Sequence, residues 1–197
     1  MNQLVLATHN KHKAEELQLL LTGTGIEIFT LETFPQVGDI HEDGETLEAN
    51  ALKKAREVFR LTSLPALGDD TGLEVHYLNE VPGVFSARYA GPGASYTDNV
   101  KKLLAAMKGV PPRRRAARFR CVLAFVAPGV ERVVEAICRG TIVEAPRGSG
   151  GFGYDPVFLP MSYDQTFAEM SMDVKNTLSH RALALQQMKS VVAGHFK

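Results

Sequence analysis

Within the first thirteen residues, Thr8-His9-Asn10-Lys11-His12-Lys13 offers the short hydrogen-bonding side chains of Thr8 and Asn10 and the ammonium of Lys13. The segment follows an apolar run and opens a helical pattern. A helix N-terminus presents backbone N–H groups and a partial positive charge. Together these suit a phosphate, although the glycine pattern of a Walker loop is missing. Asp69-Asp70 offers a second chemistry. Two adjacent carboxylates, read as lying at a strand end, and Glu42 in another acidic loop suit Mg2+, which takes one or two carboxylates, water and substrate phosphates. One acid of the pair would instead orient or deprotonate water. A third set lies in Gly148-Ser149-Gly150-Gly151-Phe152-Gly153-Tyr154-Asp155-Pro156. Glycine lets a backbone approach a ligand closely, Phe152 and Tyr154 offer flat faces, and Asp155 accepts hydrogen bonds from a polar edge. A nucleobase fits that description.

Each segment alone has a plainer reading: an Asn10 N-cap with solvated lysines, an Asp-Gly-type turn, and a glycine-rich turn whose aromatics plug a core edge. Gly148, Gly150 and Gly153 also match a dinucleotide-binding fingerprint, with Asp173 twenty residues on. The context is wrong. That fingerprint needs a preceding strand and a helix opening from it, whereas Asp155-Pro156 stops any helix. Further polar side chains fall on helical segments. Asn50 and Lys54 are four apart and share a face. Lys175 and the pair His180-Arg181 lie on or before the last helix, and Arg181 is an all-donor group able to fork to a keto oxygen.

These groups need elements to hold them. Leu4 to Ala7 reads as a buried strand, and Ala14, Leu17, Leu20 and Leu21 recur at helical spacing over Lys11–Leu21. Residues 26–29 form a second short strand, and residues 45–60 an amphipathic helix. An apolar segment at 64–67 runs into Gly68-Asp69-Asp70-Thr71-Gly72, after which residues 73–77 alternate as a strand. A helix capped by Thr97 covers 97–107. Residues 118–125 alternate, turn at Pro128-Gly129 and return over 133–142 as a hairpin. The register places Cys121 opposite or diagonal to Cys138, read as two reduced thiols packed as small apolar groups. A final helix spans 173–192. The class is mixed α/β.

The 197 residues suit one large domain or two lobes sharing a core, without a linker. Twenty-two basic and twenty-two acidic residues cancel, so no global field favours nucleic acid or an anionic membrane. Arg113-Arg114-Arg115, Arg118 and Arg120 read as a solvated loop and sheet face. No apolar stretch approaches a membrane span, and Met1-Asn2-Gln3 lacks the charged start of a signal peptide. Two cysteines suit a reducing cytoplasm.

Taken in order, Thr8-x-Asn10-x-x-Lys13, Glu42-x-Gly44-x-Thr46 with Asn50-Ala51, Asp69-Asp70-Thr71-Gly72-Leu73, Pro82-Gly83-Val84-Phe85-Ser86-Ala87-Arg88-Tyr89, Gly150-Gly151-Phe152-Gly153-Tyr154-Asp155-Pro156 and Ser179-His180-Arg181 cover nearly the full length. The chain thus resembles the inosine/xanthosine triphosphate pyrophosphatase family, which clears deaminated purine nucleotides. The resemblance implies a two-lobed α/β fold with a long mixed sheet, a cleft between the lobes, Mg2+ and a homodimer. It implies that Thr8, His9, Asn10, Lys11, His12 and Lys13 hold the triphosphate, with Lys54 helping. Asp70 would accept the proton, Asp69 and Glu42 would help to place the metal, and Thr71 stands where the family commonly has Ser. Phe152, Gly153, Tyr154, Asp155, Lys175, His180 and Arg181 would frame sugar and base. His9 departs from a common Gly, which bears on the backbone of the phosphate turn.

Overall fold

Leu4, Val5, Leu6 and Ala7 alternate between two apolar environments rather than between core and water, so the first strand, β1 (Gln3–Ala7), is buried on both faces. Leu4 and Leu6 pack with Leu17, Leu67, Leu123, Phe125 and Met188, while Val5 and Ala7 pack with Leu31, Val58 and Ala66. Strands covered on both faces are typical of parallel α/β sheets. The computed structural model describes residues 2–196. The chain separates into two compact units, the first made of residues up to 70, 121–136 and 181 onward, the second of 71–120 and 137–180.

In the first unit β1 leads into α1 (Lys11–Leu21), β2 (Glu27–Phe29) and α2 (Leu47–Thr62). Asn10 caps α1 by accepting from the Lys13 backbone N–H, and Thr46 caps α2 in the same way from Ala49. β1 pairs in parallel with β2 and with the start of β3 (Ala66–Val75), where Ala7 faces Gly68. A side chain at Gly68 would collide with the carbonyl oxygen of Ala51. Glycine is required there because α2 lies directly against the strand.

The second unit holds β4 (Val81–Gly83), antiparallel to β3 with Leu73 facing Gly83, and α3 (Tyr96–Ala106). It also holds β7 (Phe158–Pro160) and α4 (Met172–Leu178). Its core is built from Leu73, Val75, Leu103, Met107, Phe119, Phe158 and Phe167. The long strands β5 (Ala116–Ala127) and β6 (Val130–Ile142) complete the sheet, ordered β2-β1-β3-β5-β6-β7 with β4 on β3. α5 (His180–His195) closes the chain. The mixed α/β class and the hairpin turn at Gly129 (φ 68°) are as expected.

Several expectations are revised. The apolar segment at 64–67 and the strand at 73–77 are one strand, β3, so Asp69 and Asp70 lie in its interior and not at its end or in a turn. Pairing with β1 at residues 66–68 and with β4 at 73–75, the neighbouring strand β5 and the close approach of α2 at Gly68 hold the strand extended despite two glycines and two aspartates. The helix at 173–192 is two helices, broken at Ser179, whose ψ of 151° is extended. α3 starts at a Ser95 cap, reciprocated by Asp98, rather than at Thr97. Arg115 is not solvated. It is buried and donates to the carbonyls of Met107, Val110, Ile142 and Val143. Arg118 and Arg120 both reach Glu74. Among the described residues no helix is long and apolar enough to cross a membrane.

Candidate active site

Successive residues of a strand point to opposite faces, and Asp69 and Asp70 therefore serve different neighbours. Asp69 is fully buried in the first unit. Its Oδ1 receives Lys13 Nζ at 2.6 Å, and its Oδ2 receives Arg181 Nε at 2.8 Å and the Cys121 thiol at 3.5 Å. Arg181, 0% exposed, also donates through Nη1 to Glu16 Oε2 at 2.5 Å. Glu16, Arg181, Asp69 and Lys13 thus form an alternating chain of charges with little water. Burial opposes the Asp69 charge, but Arg181 and Lys13 outweigh it and hold the carboxyl well below its usual range. Burial likewise opposes the Lys13 charge, and Asp69 and Asp70 reverse the balance, raising the ammonium above its ordinary value.

Asp70 faces α2. Its Oδ1 accepts from Lys54 Nζ at 2.9 Å and its Oδ2 from Asn50 Nδ2 at 3.2 Å. Lys54 Nζ also meets Glu42 Oε1 at 2.7 Å, so the carboxylates of Glu42 and Asp70 converge on one cation. Burial raises the Asp70 carboxyl above its ordinary value, against the pull of Lys54 and Lys13 and with help from Glu42. Adjacent acids whose environments push their proton affinities apart are poised for different tasks.

The loop carrying Glu42 is tied to the same place. Asn50, fully buried on α2, accepts from the Gly44 N–H at 2.8 Å while donating to Asp70. A side chain at Gly44 would meet that amide. Thr8 Oγ1 accepts from the Asn10 N–H at 3.2 Å, shaping the turn into α1. His9 sends its ring to the Gly38 carbonyl at 3.2 Å, and its backbone is outside the positive-φ region, so a side chain at this position is unstrained. Lys11 and His12 are exposed, facing Glu32 and Glu15 respectively, and their side chains do not join the buried cluster.

The second unit holds the other expected residues. Gly148 and Gly151 have φ near +80° and +67°, and a side chain at either would strike Ala168 or Asp155 respectively. Those turns let the segment fold over Asp155, whose Oδ2 accepts from the Phe152 N–H at 2.9 Å and from Lys175 Nζ at 2.6 Å. Lys175 Nζ lies 5.2 Å from the centre of the half-buried Phe152 ring. Gly153 (φ 63°) and the half-buried Thr71 complete the set. His180 is buried and stacked on Phe119, centroids 4.5 Å apart.

Three expectations about these side chains change. Tyr154 offers no open face: it is buried, and its hydroxyl donates to the Ser86 carbonyl at 2.9 Å. Arg181 does not present an idle fork, because its Nε and Nη1 already serve Asp69 and Glu16. Asp69 has both oxygens engaged by Lys13 and Arg181, which leaves Glu42 and Asp70 as the convergent acids. Among the described residues no three His, Cys, Asp or Glu side chains gather as a metal-holding group.

Two contributors were not among the expected site residues. Asn50 was seen as a helix neighbour of Lys54 and as part of the motif around Glu42, without a role in the site. Glu16 sits one helical turn from Lys13, and that Lys-x-x-Glu spacing was its available signal. The cysteines are thiols, both buried, and burial pushes Cys138 up to about 12.

The family model for the Ham1 family matches residues 4–191. A dITP/XTP pyrophosphatase of Geobacter sulfurreducens is 45% identical over 190 residues, 96% of each chain. One from Syntrophobacter fumaroxidans is 50% identical over 187 residues, covering 94% of this chain and 80% of that one. Among solved structures, a HAM1 protein from Coxiella burnetii is similar with a TM-score of 0.88 at 40% identity, over 98% of this chain and 100% of that one. A nucleoside-triphosphatase / dITP/XTP pyrophosphatase from Mycobacterium abscessus gives 0.76 at 39% identity, over 94% and 98%. The similarity spans both the polar cluster around Asp69 and Asp70 and the glycine-rich segment, and the chain belongs to the Ham1 family.

Proposed function

We propose that this chain hydrolyses non-standard purine nucleoside triphosphates, ITP, dITP and XTP, to the nucleoside monophosphate and pyrophosphate. The names of the relatives support the activity. The observation that carries its mechanism is the unequal pair: Asp69 held ionised by Arg181 and Lys13, and Asp70 raised by burial beside Lys54. A carboxylate raised toward neutral pH is the better proton acceptor.

Asp70 takes a proton from water as its oxygen attacks the α-phosphorus. The bond from that phosphorus to the oxygen bridging the β-phosphorus breaks, and pyrophosphate leaves with the electron pair. Lys13, Lys54, Thr8, Asn10 and the first turn of α1 hold the triphosphate and neutralise its charge, with His9, Lys11 and His12 at the rim. Glu42 and Asp70 suit a divalent cation, since two carboxylates already converge on the point charge of Lys54, and Mg2+ needs only one or two carboxylates beside substrate phosphates. Bound there, Mg2+ would neutralise phosphate oxygens. Asp69 acts as the anchor that sets Lys13 and Arg181.

Phe152 stacks on the base, and Asp155, Lys175 and His180 read its edge, with Gly153 and Thr71 beside the nucleotide and Tyr154 supporting the segment from beneath. Lys175 is a donor, so a 6-keto oxygen is accepted and the 6-amino group of adenine is not. The proposal includes a homodimer, which light scattering would test, and a cytoplasmic location, which suits two buried thiols.

The experiment is pyrophosphate release with Mg2+ from a panel of purine triphosphates by wild type and Asp70→Asn. ITP and XTP should be cleaved far faster than ATP. The variant should keep its fold and lose ~10²-fold or more in kcat. Near-wild-type turnover by a folded Asp70→Asn variant would remove Asp70 from the role of base.

A further inference from the structure

Phe152 and Tyr96 of the second unit stand outside its core, as Tyr77, Phe85 and Tyr163 do, and meet each other. Phe152 is half-buried in the glycine-rich segment, and Tyr96, the first residue of α3, is 39% exposed. Their ring centroids lie 5.9 Å apart, with the planes tilted by 47°. The buried core of this unit is built on other rings, Phe119, Tyr154, Phe158 and Phe167.

Phe152 is well fixed at its backbone. Its N–H donates to Asp155 Oδ2, the oxygen that also receives Lys175 Nζ. These bonds hold the backbone of the segment. The cation of Lys175, 5.2 Å from the ring centre, and the ring of Tyr96 lie beside the Phe152 ring and restrict its rotation. Tyr96 is in turn held by a firm helix start. Ser95 and Asp98 cap each other's backbone N–H groups, with distances of 3.1 and 3.2 Å, and such a reciprocal cap stiffens the first turn.

We propose that Tyr96 is a positioning residue for base binding, holding the Phe152 ring in one orientation so that a purine stacks on a surface already ordered. The inference rests on the reading that residues 152–155 take the purine. Ordering a side chain before the ligand arrives lowers the cost of binding. A ring face also stacks on every purine without reading its edge. The effect therefore falls on KM, alike for each purine substrate, and not on the phosphate end.

The test is steady-state pyrophosphate release from ITP and XTP by wild type, Tyr96→Ala and Tyr96→Phe, with inorganic tripolyphosphate as a competitor that has no base. Tyr96→Ala should raise KM for both substrates about three- to tenfold, the range an aromatic pair supplies. Its kcat should stay within about twofold of wild type, and the inhibition constant of tripolyphosphate should not move. Tyr96→Phe keeps the ring and should restore the wild-type KM. If Tyr96→Ala fails to fold by circular dichroism, Tyr96→Gln, which keeps bulk but not the ring, should show the same rise. An unchanged KM in the folded ring-less variant overturns the inference, and so does a tripolyphosphate constant that rises in step with KM. Absence of pyrophosphate release from both nucleotides by the wild-type protein overturns instead the functional reading beneath it.

Discussion

The charged cluster of the first unit and the glycine-rich segment of the second hold their side chains by opposite means. Around Asp69 and Asp70, each acid is matched to a specific cation, and Asp69, Arg181 and Asn50 have no exposed surface. Around Phe152, backbone turns at positive φ and the Asp155 carboxylate, itself paired with Lys175, hold the segment, and the ring stays half-buried. The first arrangement fixes charge where water is scarce, so each member is structural as well as chemical. The second fixes a surface and leaves its outermost member replaceable. A substitution in the first region should therefore move stability and chemistry together, and one at the tip of the second should move affinity alone.

Asp69→Asn should break the comparison's first half most severely. It leaves Arg181 and Lys13 buried with less negative charge opposite, and removal of one partner from a buried pair costs about 3–5 kcal/mol. The loss should appear in urea unfolding at neutral pH. Its pH dependence has a definite sign. Asp69 has a folded-state proton affinity below that of the unfolded chain, so its contribution is full above the ordinary carboxyl range and is lost as pH falls toward the folded value. The gap between wild type and Asp69→Asn should thus be widest near neutrality and narrow below about pH 4.

Phe152→Ala sharpens the other half. Stacking on every purine should weaken by ~1–3 kcal/mol, read as KM, while the unfolding midpoint stays close to wild type. The smallest effect belongs to Lys11→Ala. Its ammonium is exposed and faces Glu32, so it should change KM by about twofold at low salt and not measurably at high salt.

The turn from β1 into α1 was legible because its signals are local: an apolar strand, an Asn cap and a helical repeat follow one another over residues 4–21. β3 was not, since Gly68, Asp69, Asp70 and Gly72 all disfavour strands by type. What makes them a strand is pairing with β1 over residues 66–68 and with β4 over 73–75, a place beside β5 in the sheet, and the packing of Gly68 against Ala51 of α2, none of which their own types announce. Arg181 and Tyr154 show the same limit at the site. Their types allowed a keto-reading fork and a stacking face. Only the fold brings Asp69 and Glu16 to the one and encloses the other beneath the Ser86 carbonyl. Ser179 is of a type favoured just before a helix start, but the helical repeat runs on across it and hid the break between α4 and α5.

The division of labour between the two regions is tested most directly by the ratio of kcat/KM for ITP to that for ATP, measured in Asp70→Asn and in Lys175→Met. Asp70→Asn should lower both values in proportion and leave the ratio within about twofold of wild type, because the proposed base of the reaction carries no information about the purine. Lys175→Met removes a donor from the proposed edge-reading set and should reduce the ratio about tenfold or more. A ratio that collapses in Asp70→Asn, or that survives intact in Lys175→Met, contradicts the account.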